Sequence, residues 1–266
     1  MNLVTPDQAA HWYTRDGLPL YTVAKKDGTP RNTTLADARK LNLVPSVTGI
    51  IGVIAKPALD AWKQEQAILS ALTLPRLDGE SDDDFARRVV RDSKEQIGKA
   101  ADKGTEVHAF CEAWIIAANE EERGNTIMPV GMETVCQKWT EWARWGLDLS
   151  DCTVEEAFAS TLGYGGRCDL SGKDVAGNPI IVDWKTQFVK TGKEPNFYET
   201  WDLQLSAYAA AVNRGARRYS VVISTNPENP IVSVKEWKDD SFSAFLSALE
   251  IWKYLNSFDP SFGGDE

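Results

Sequence analysis

Apolar side chains recur at helical spacing along "TEVHAFCEAWIIAANE" (105–120), where Val107, Cys111, Trp114, Ile115 and Ala118 form one stripe. His108 and Glu112 lie together on its shoulder, because four residues advance about one turn. The spacing predicts a helix that opens on a fresh N-cap at Thr105, directly after Gly104. Other helices are predicted over 33–43 behind a threonine cap, from Pro57 to near residue 72, and from near Asp84 onward. Three more follow: the tryptophan-rich stretch 132–146, residues 201–215 closing at Gly215, and the last helix, "SFSAFLSALEIWKYLNSF".

Alternation and short apolar runs predict the strands. Residues 11–31 carry Asp-Gly turns at 16–17 and 27–28 and read as a hairpin or short meander. "TVEEAFAS" (153–160) is a strand. "GGRCDLSG" and "NPIIVDWKTQ" are two more, joined by a turn rich in Gly, Asn and Pro, and "RYSVVIST" and "IVSVKEW" complete the set. From residue 105 onward the order is helix, helix, three strands, helix, two strands, helix. That order predicts an α/β fold, a mixed central β-sheet flanked by helices. Residues 1–43 read as an N-terminal hairpin and short helix packed on the core, and 44–266 as the main domain.

Charge and cysteine usage narrow the classes. The 266 residues carry a net charge of −10, which disfavours a passive, charge-driven nucleic-acid coat but leaves room for a nucleic-acid enzyme with local basic patches. Cys111, Cys136, Cys152 and Cys168 lack C-x-x-C spacing, which argues against zinc or iron–sulfur ligation and fits reduced thiols in a cytoplasmic protein. No apolar run approaches the roughly 20 residues of a membrane span, and the first residues resemble neither a signal nor a transit peptide.

The candidate chemistry sits in "GGRCDLSGKDVAGNPIIVDWKT" (165–186). A carboxylate at the end of an apolar strand is costly unless paired, hydrogen-bonded or bound to metal. If the two strands pair around the turn at 172–179, Asp169 and Asp183 project to one edge, where two hard oxygen donors suit Mg²⁺. Lys185, two residues past Asp183, points to the same face. Its ammonium could hold a water or neutralise charge on a phosphate in displacement. Each residue also has a plainer reading. Asp169 could cap a turn, Asp183 could pair with Lys185, Lys185 could snorkel at a strand end, and His108 could be a hydrogen-bonded core residue. Gln204 and Tyr208, four apart on a helix, could be a satisfied polar pair. Glu112 and Glu156 could be a second base or surface acids. Six basic residues (Arg87, Arg88, Arg91, Lys94, Lys99 and Lys103) form either a solvated helix face or a phosphate-contacting surface. Gly163, Gly165 and Gly166 would let the backbone approach a nucleic-acid strand. Lys190, Lys193, Phe197, Tyr198 and Trp201 interleave cations with aromatics beside the site, as suits a single strand.

"GGRCDL…IIVDWKT" resembles the core motif of the PD-(D/E)xK nuclease superfamily in its RecB-like branch. "GTEVHAF" is similar to the upstream helix motif of that branch and "QLSAY" to its downstream one. "VPSVTGII…KPALDAW" (44–62) resembles the N-terminal part of phage-type and mitochondrial-type exonucleases. The likeness covers roughly residues 44–215. It implies a restriction-endonuclease-like core and a catalytic set of Asp169, Asp183, Lys185, Gln204 and Tyr208. It also implies a metal held by His108, Asp169, Asp183 and the Trp184 backbone carbonyl, with Mg²⁺ as the ion and Mn²⁺ able to substitute. DNA contacts are expected at Arg167, Lys190, Lys193, Tyr198 and Arg91. The chain departs from the CRISPR-associated members, which carry a cysteine-ligated iron–sulfur cluster: it has no cysteine after Cys168, so no such cluster is expected. No G-x-x-x-x-G-K-[ST] motif suggests a helicase fusion.

The expectation is a Mg²⁺-dependent DNA exonuclease of phage-type recombination, repair or DNA processing, in the cytoplasm of a bacterium or phage-infected host. Its partners would be DNA with single-stranded ends and a recombination or single-strand-annealing protein, with no membrane. A catalytically inactive nuclease-fold module and a hydrolase of smaller phosphoesters are the competing classes.

Overall fold

The computed structural model describes residues 11–119, 126–238 and 241–263; the opening residues 1–10, on which the expectation about targeting segments rests, lie outside that range. The chain forms two compact units, one of residues 1–53 with 107–266 and one of residues 54–106.

In the larger unit, β1 (Trp12–Tyr13) pairs with β4 (Val44–Pro45), and β2 (Thr22–Ala24) with β3 (Pro30–Asn32) around the Asp27-Gly28 turn. Between β3 and β4 runs α1 (Leu35–Leu41), whose N-cap Thr34 forms a capping box with Asp37. A short α2 (Val47–Ile51) follows β4. The smaller unit holds α3 (Pro57–Thr73), with proline in its first turn, and the first part of α4 (Asp82–Asn119). Within it Arg87 pairs with Asp84 at 2.8 Å and Arg88 with Glu80 at 2.8 Å, so at least two of the six basic residues are balanced by nearby acids.

The predicted break at Gly104-Thr105 does not exist: α4 is one helix of 38 residues. Thr105 does not cap. Its hydroxyl donates back to the Ala101 carbonyl at 3.2 Å, one turn earlier, which keeps the residue inside the ladder. A glycine in a helix interior costs about 1 kcal/mol relative to alanine, too little by itself to end a helix of this length.

After α5 (Glu133–Gly146) come β5 (Leu147–Ser160), β6 (Tyr164–Asp174) and β7 (Pro179–Gln187). Then α6 (Glu199–Val212) crosses over to β8 (Arg217–Ser224), which is followed by β9 (Val232–Trp237) and α7 (Phe242–Asn256). The five strands lie in sequence order, antiparallel except for the parallel β7–β8 pair that the crossover requires. The sheet is mixed and flanked by helices. On one face the stripe of Val107, Cys111, Trp114, Ile115 and Ala118 is buried with Trp139 of α5 against Leu170, Val182, Trp184 and Val221. On the other, α6 packs with α2 and α7 and against β5 to β8. Ile180, Ile181 and Val182 are all buried, because β7 is covered on both faces. α6 ends at Val212 with Asn213 as its C-cap, and Gly215 lies in the turn beyond, with φ +99°. No helix among the described residues is long and apolar enough to cross a membrane.

Candidate active site

β6 and β7 pair only from Leu170↔Val182 to Lys173↔Pro179. Beyond that point β6 stays on β5 as far as Tyr164, and β7 stays on β8 as far as Gln187. The two strands therefore part at Asp169 and Asp183. The fork leaves the Trp184 backbone N–H without a strand partner, and a buried amide needs an acceptor. Asp169 supplies it: its Oδ2 accepts from Trp184 N at 2.7 Å.

Side chains alternate along β7, so Trp184 enters the α4–α5 core while Asp183 and Lys185 face α6. There Gln204 Nε2 donates to Asp183 Oδ1 at 2.7 Å and faces the Tyr208 hydroxyl at 3.0 Å, and Lys185 Nζ donates to Gln204 Oε1 at 3.2 Å. Lys185 Nζ also lies 2.5 Å from Asp183 Oδ2. That contact is off the hydrogen-bond direction, so the buried Oδ2 has a Coulombic partner but no donor aimed at its lone pairs. Of the plainer readings, the Asp183–Lys185 and Gln204–Tyr208 pairings both exist, and they join into a single polar cluster.

His108 stands beside this cluster, its Nδ1 3.7 Å from Asp169 Oδ2 and its ring edge-on to Trp184. Burial pushes the imidazole pKa down; the Asp183 carboxylate and the Trp184 carbonyl pull it up, against Lys185. Burial pushes the Asp169 carboxyl well above the usual range. The Asp183 charge adds to this, and Lys185 and the Trp184 N–H oppose it. Burial likewise raises the Tyr208 phenol, so it stays a neutral hydrogen-bonding group. Among the described residues no three His, Cys, Asp or Glu side chains are gathered as a finished metal cage. Both carboxylates are turned onto protein donors instead. The donor set nonetheless fits a hard divalent cation: two crowded carboxylates, one imidazole and a buried carboxylate oxygen with no hydrogen-bond donor.

Sequence reasoning missed Glu155. It lies across from Asp169 in the β5–β6 pairing, at the one gap between Val154↔Leu170 and Glu156↔Cys168. Its φ is +55°, a left-handed conformation that costs a non-glycine residue about 1–2 kcal/mol. Its carboxylate lies 2.5 Å from Arg167 Nε. Burial raises its pKa, Arg167 opposes that, and the charge of Glu112 adds to it. Counting the register back from the tight β5–β6 turn would have found it. Glu156 instead hydrogen-bonds Ser171.

The glycines serve packing rather than DNA approach. A Cβ at Gly166 would lie 2.8 Å from both Phe158 and Tyr208 ring atoms, one at Gly165 2.9 Å from Tyr13, and one at Gly163 2.6 Å from the Ser261 backbone. Of the expected DNA contacts, Arg167 is exposed on the site's strand, Lys190 and Lys193 lie on the exposed β7–α6 loop, and Tyr198 is the N-cap of α6. Arg91 belongs to the smaller unit and is exposed there.

The comparison with curated proteins finds no match. A solved structure titled "Crystal structure of SSO0001" is 14% identical, covering 45% of this chain and 56% of its own, with a TM-score of 0.28; a likeness of that size carries no argument. A family model described as the PD-(D/E)XK nuclease superfamily matches residues 59–236, which runs from within α3 to within β9 and takes in every residue of the cluster. A match over more than half the chain, on a sheet of this order, makes the protein a member of the PD-(D/E)XK nuclease superfamily, whose members are generally nucleases.

Proposed function

We propose that the protein is a metal-dependent deoxyribonuclease of the RecB-like branch, acting as an exonuclease in phage-type recombination, repair or DNA processing. The observation that carries this reading is the convergence of Asp169, Asp183, His108 and Lys185 at the β6–β7 fork. His108, Asp169, Asp183 and the Trp184 carbonyl would hold Mg²⁺ or Mn²⁺. Such an ion, when bound, polarises a phosphoryl oxygen and lowers the pKa of water. Lys185 supplies the positive charge for the phosphate or positions the attacking water, Gln204 sets the direction of its ammonium, and Tyr208 backs Gln204. The exonuclease assignment rests on the likeness of residues 44–62 to phage-type and mitochondrial-type enzymes. Work on DNA in the cytoplasm, beside a recombination or single-strand-annealing protein, goes with it.

One observation favours a second reading, an inactive nuclease-fold module that only binds DNA: each carboxylate already has one oxygen accepting a hydrogen bond from a protein donor. Incubating end-labelled linear DNA and closed circular DNA with Mg²⁺, Mn²⁺ or EDTA decides between them. Metal-dependent loss of the linear DNA alone is the expected result. Nicking of the circle would refute exonuclease action, and no loss with either metal would refute the deoxyribonuclease reading.

A further inference from the structure

A second feature adjoins the cluster and extends it to the edge strand. Lys185 Nζ lies 5.7 Å from the centroid of Trp201. Trp201 is met edge-on by Phe197 at 6.0 Å and by Tyr198 at 5.1 Å. Lys235, from β9, holds its ammonium 5.9 Å from the Phe197 ring and 3.6 Å from the Trp237 ring. A continuous path of aromatic faces and ammonium groups thus leads from the catalytic lysine across the start of α6 to the edge strand.

We propose that this path is the binding site for the unpaired end of a DNA strand, with bases stacked on Tyr198, Phe197 and Trp201 and phosphates held by Lys235 and Lys185. The proposal rests on the nuclease reading and names the form of DNA that the site takes. Three features support it. First, the rings are not buried as a core cluster would be: Tyr198 keeps 37% of its surface exposed, and Phe197 and Trp201 are partly open. Second, the loop that presents them is fixed before any ligand arrives. Gln187 Nε2 donates to the Asn196 carbonyl at 2.6 Å and Gln187 Oε1 accepts from Asn196 N at 3.1 Å. Asn226 Nδ2 donates to the Val189 carbonyl at 2.8 Å and Asn229 Nδ2 to the Lys190 carbonyl at 3.1 Å. A surface ordered in advance loses less entropy on binding. Third, the charge is complementary. On a chain of net charge −10, two lysines flank the rings, and among the described residues Lys235 meets the exposed Glu199 carboxylate at 3.9 Å, a loose pairing that a phosphate can replace. A duplex presents a free base face only at its terminal pair, so a row of three rings suits an unpaired strand.

The test is equilibrium binding in EDTA, where hydrolysis cannot interfere, to fluorescent strands of about 12 nucleotides, the scale of a single-strand site. The probes are oligothymidylate, an abasic strand of the same length, a blunt duplex and oligouridylate. Wild-type protein should bind oligothymidylate more tightly than the abasic strand and the duplex. Tyr198→Leu and Phe197→Leu should each weaken oligothymidylate binding by about 5-fold or more while leaving the abasic strand unchanged, since one stacked base contributes at least that much. Tyr198→Phe should restore binding. Lys235→Met should weaken both single strands alike and flatten their salt dependence. Uridylate bound as tightly as thymidylate supports the stacking surface and shows that it does not read the sugar. Equal wild-type affinity for the thymidylate and abasic strands would overturn the proposal, as would Tyr198→Leu losing equally on both. If a leucine variant fails to fold by circular dichroism, the wild-type probe comparison and Lys235→Met still decide. Degradation of linear DNA by protein that fails the stacking arms leaves the nuclease reading standing and removes only this surface. Passing those arms without any degradation has the opposite meaning.

Discussion

Asp183→Asn neutralises a carboxylate without changing its shape, yet the hydrogen bonds around Asp183 make the substitution more than a loss of charge. Asp183 is an acceptor only and Lys185 a donor only, so the Gln204 amide between them has one consistent orientation. An asparagine breaks that consistency. If its oxygen keeps the Gln204 bond, its NH₂ faces the ammonium that now sits 2.5 Å from Oδ2. If it flips, its NH₂ meets that of Gln204. If both amides flip, the Gln204 NH₂ meets the ammonium. Every arrangement leaves one donor–donor contact and removes a hydrogen bond to a charged group, a loss of about 1.5–3 kcal/mol. Relief of Asp169, whose carboxyl is raised by burial and then by the Asp183 charge, offsets part of this in metal-free protein. A net loss of about 1–2 kcal/mol follows, and at 2–4 °C per kcal/mol the melting temperature should fall by about 2–8 °C. Melting in EDTA measures it, and adding Lys185→Met to the variant should recover part of the loss, since the two residues are coupled. A variant that melts above wild type would show that repulsion between the aspartates outweighs the lysine pairing, and would refute the net loss. Metal-dependent cleavage should be abolished; substantial residual cleavage would remove Asp183 from the site.

Lys185→Ala should lower turnover by about 100-fold or more while calorimetry shows metal affinity little changed, because an ammonium is not a ligand; loss of metal binding would refute that division of roles. His108→Ala should reduce cleavage more in Mg²⁺ than in Mn²⁺, because the more geometry-demanding ion suffers more when water replaces the ring; an equal fall with a lower melting temperature would make His108 a core residue. Gly166→Ala should cost about 1–3 kcal/mol by overpacking and slow cleavage, because the new methyl displaces the Tyr208 ring that backs Gln204; an unchanged melt and rate would refute the contact. Asp169 carries a pH signature in EDTA. Its pKa is raised in the folded state and about 3.9 in the unfolded chain, so the folded state binds the extra proton and stability falls as pH rises through the interval between the two values. Asp169→Asn should flatten that part of the stability profile, read as a difference from wild type.

The order of elements from residue 105 onward was legible because each element carries its own period, and the Asp169–Asp183–Lys185 grouping because a hairpin places residues at equal distances from its turn side by side. What was hidden depends on contacts between distant segments. Gly104-Thr105 reads as a helix boundary locally, but the hydroxyl bonds backward and the helix runs on. Gly165 and Gly166 read as room for a ligand, but Tyr13, Phe158 and Tyr208 arrive from other elements and fill it. Glu155 and Glu156 look alike in a run of two; only the register with β6 sets one against Asp169 and sends the other to Ser171. Lys235 has one local aromatic partner, Trp237 two residues on, but its other partner, Phe197, lies in the β7–α6 loop far away in sequence.

The placement of charge in β7 follows from the residue between Asp183 and Lys185. Trp184 is among the largest fully buried side chains, set edge-on against Trp139 at 5.6 Å and within the same core as Val182 and Leu170. Burying an apolar side chain of this class stabilises by at least about 1.5–3 kcal/mol. That anchor fixes the rotation of the strand about its axis: a half-turn would expose the indole and drive both charged groups into the α4–α5 core, at several kcal/mol per ion. With Trp184 held, alternation presents Asp183 and Lys185 to α6, where Gln204 hydrogen-bonds both. The fork does the rest. Where β6 leaves, the Trp184 N–H needs an acceptor, and Asp169 turns toward it, which brings the second carboxylate to the first. The same tryptophan therefore holds the strand by its ring and Asp169 by its amide.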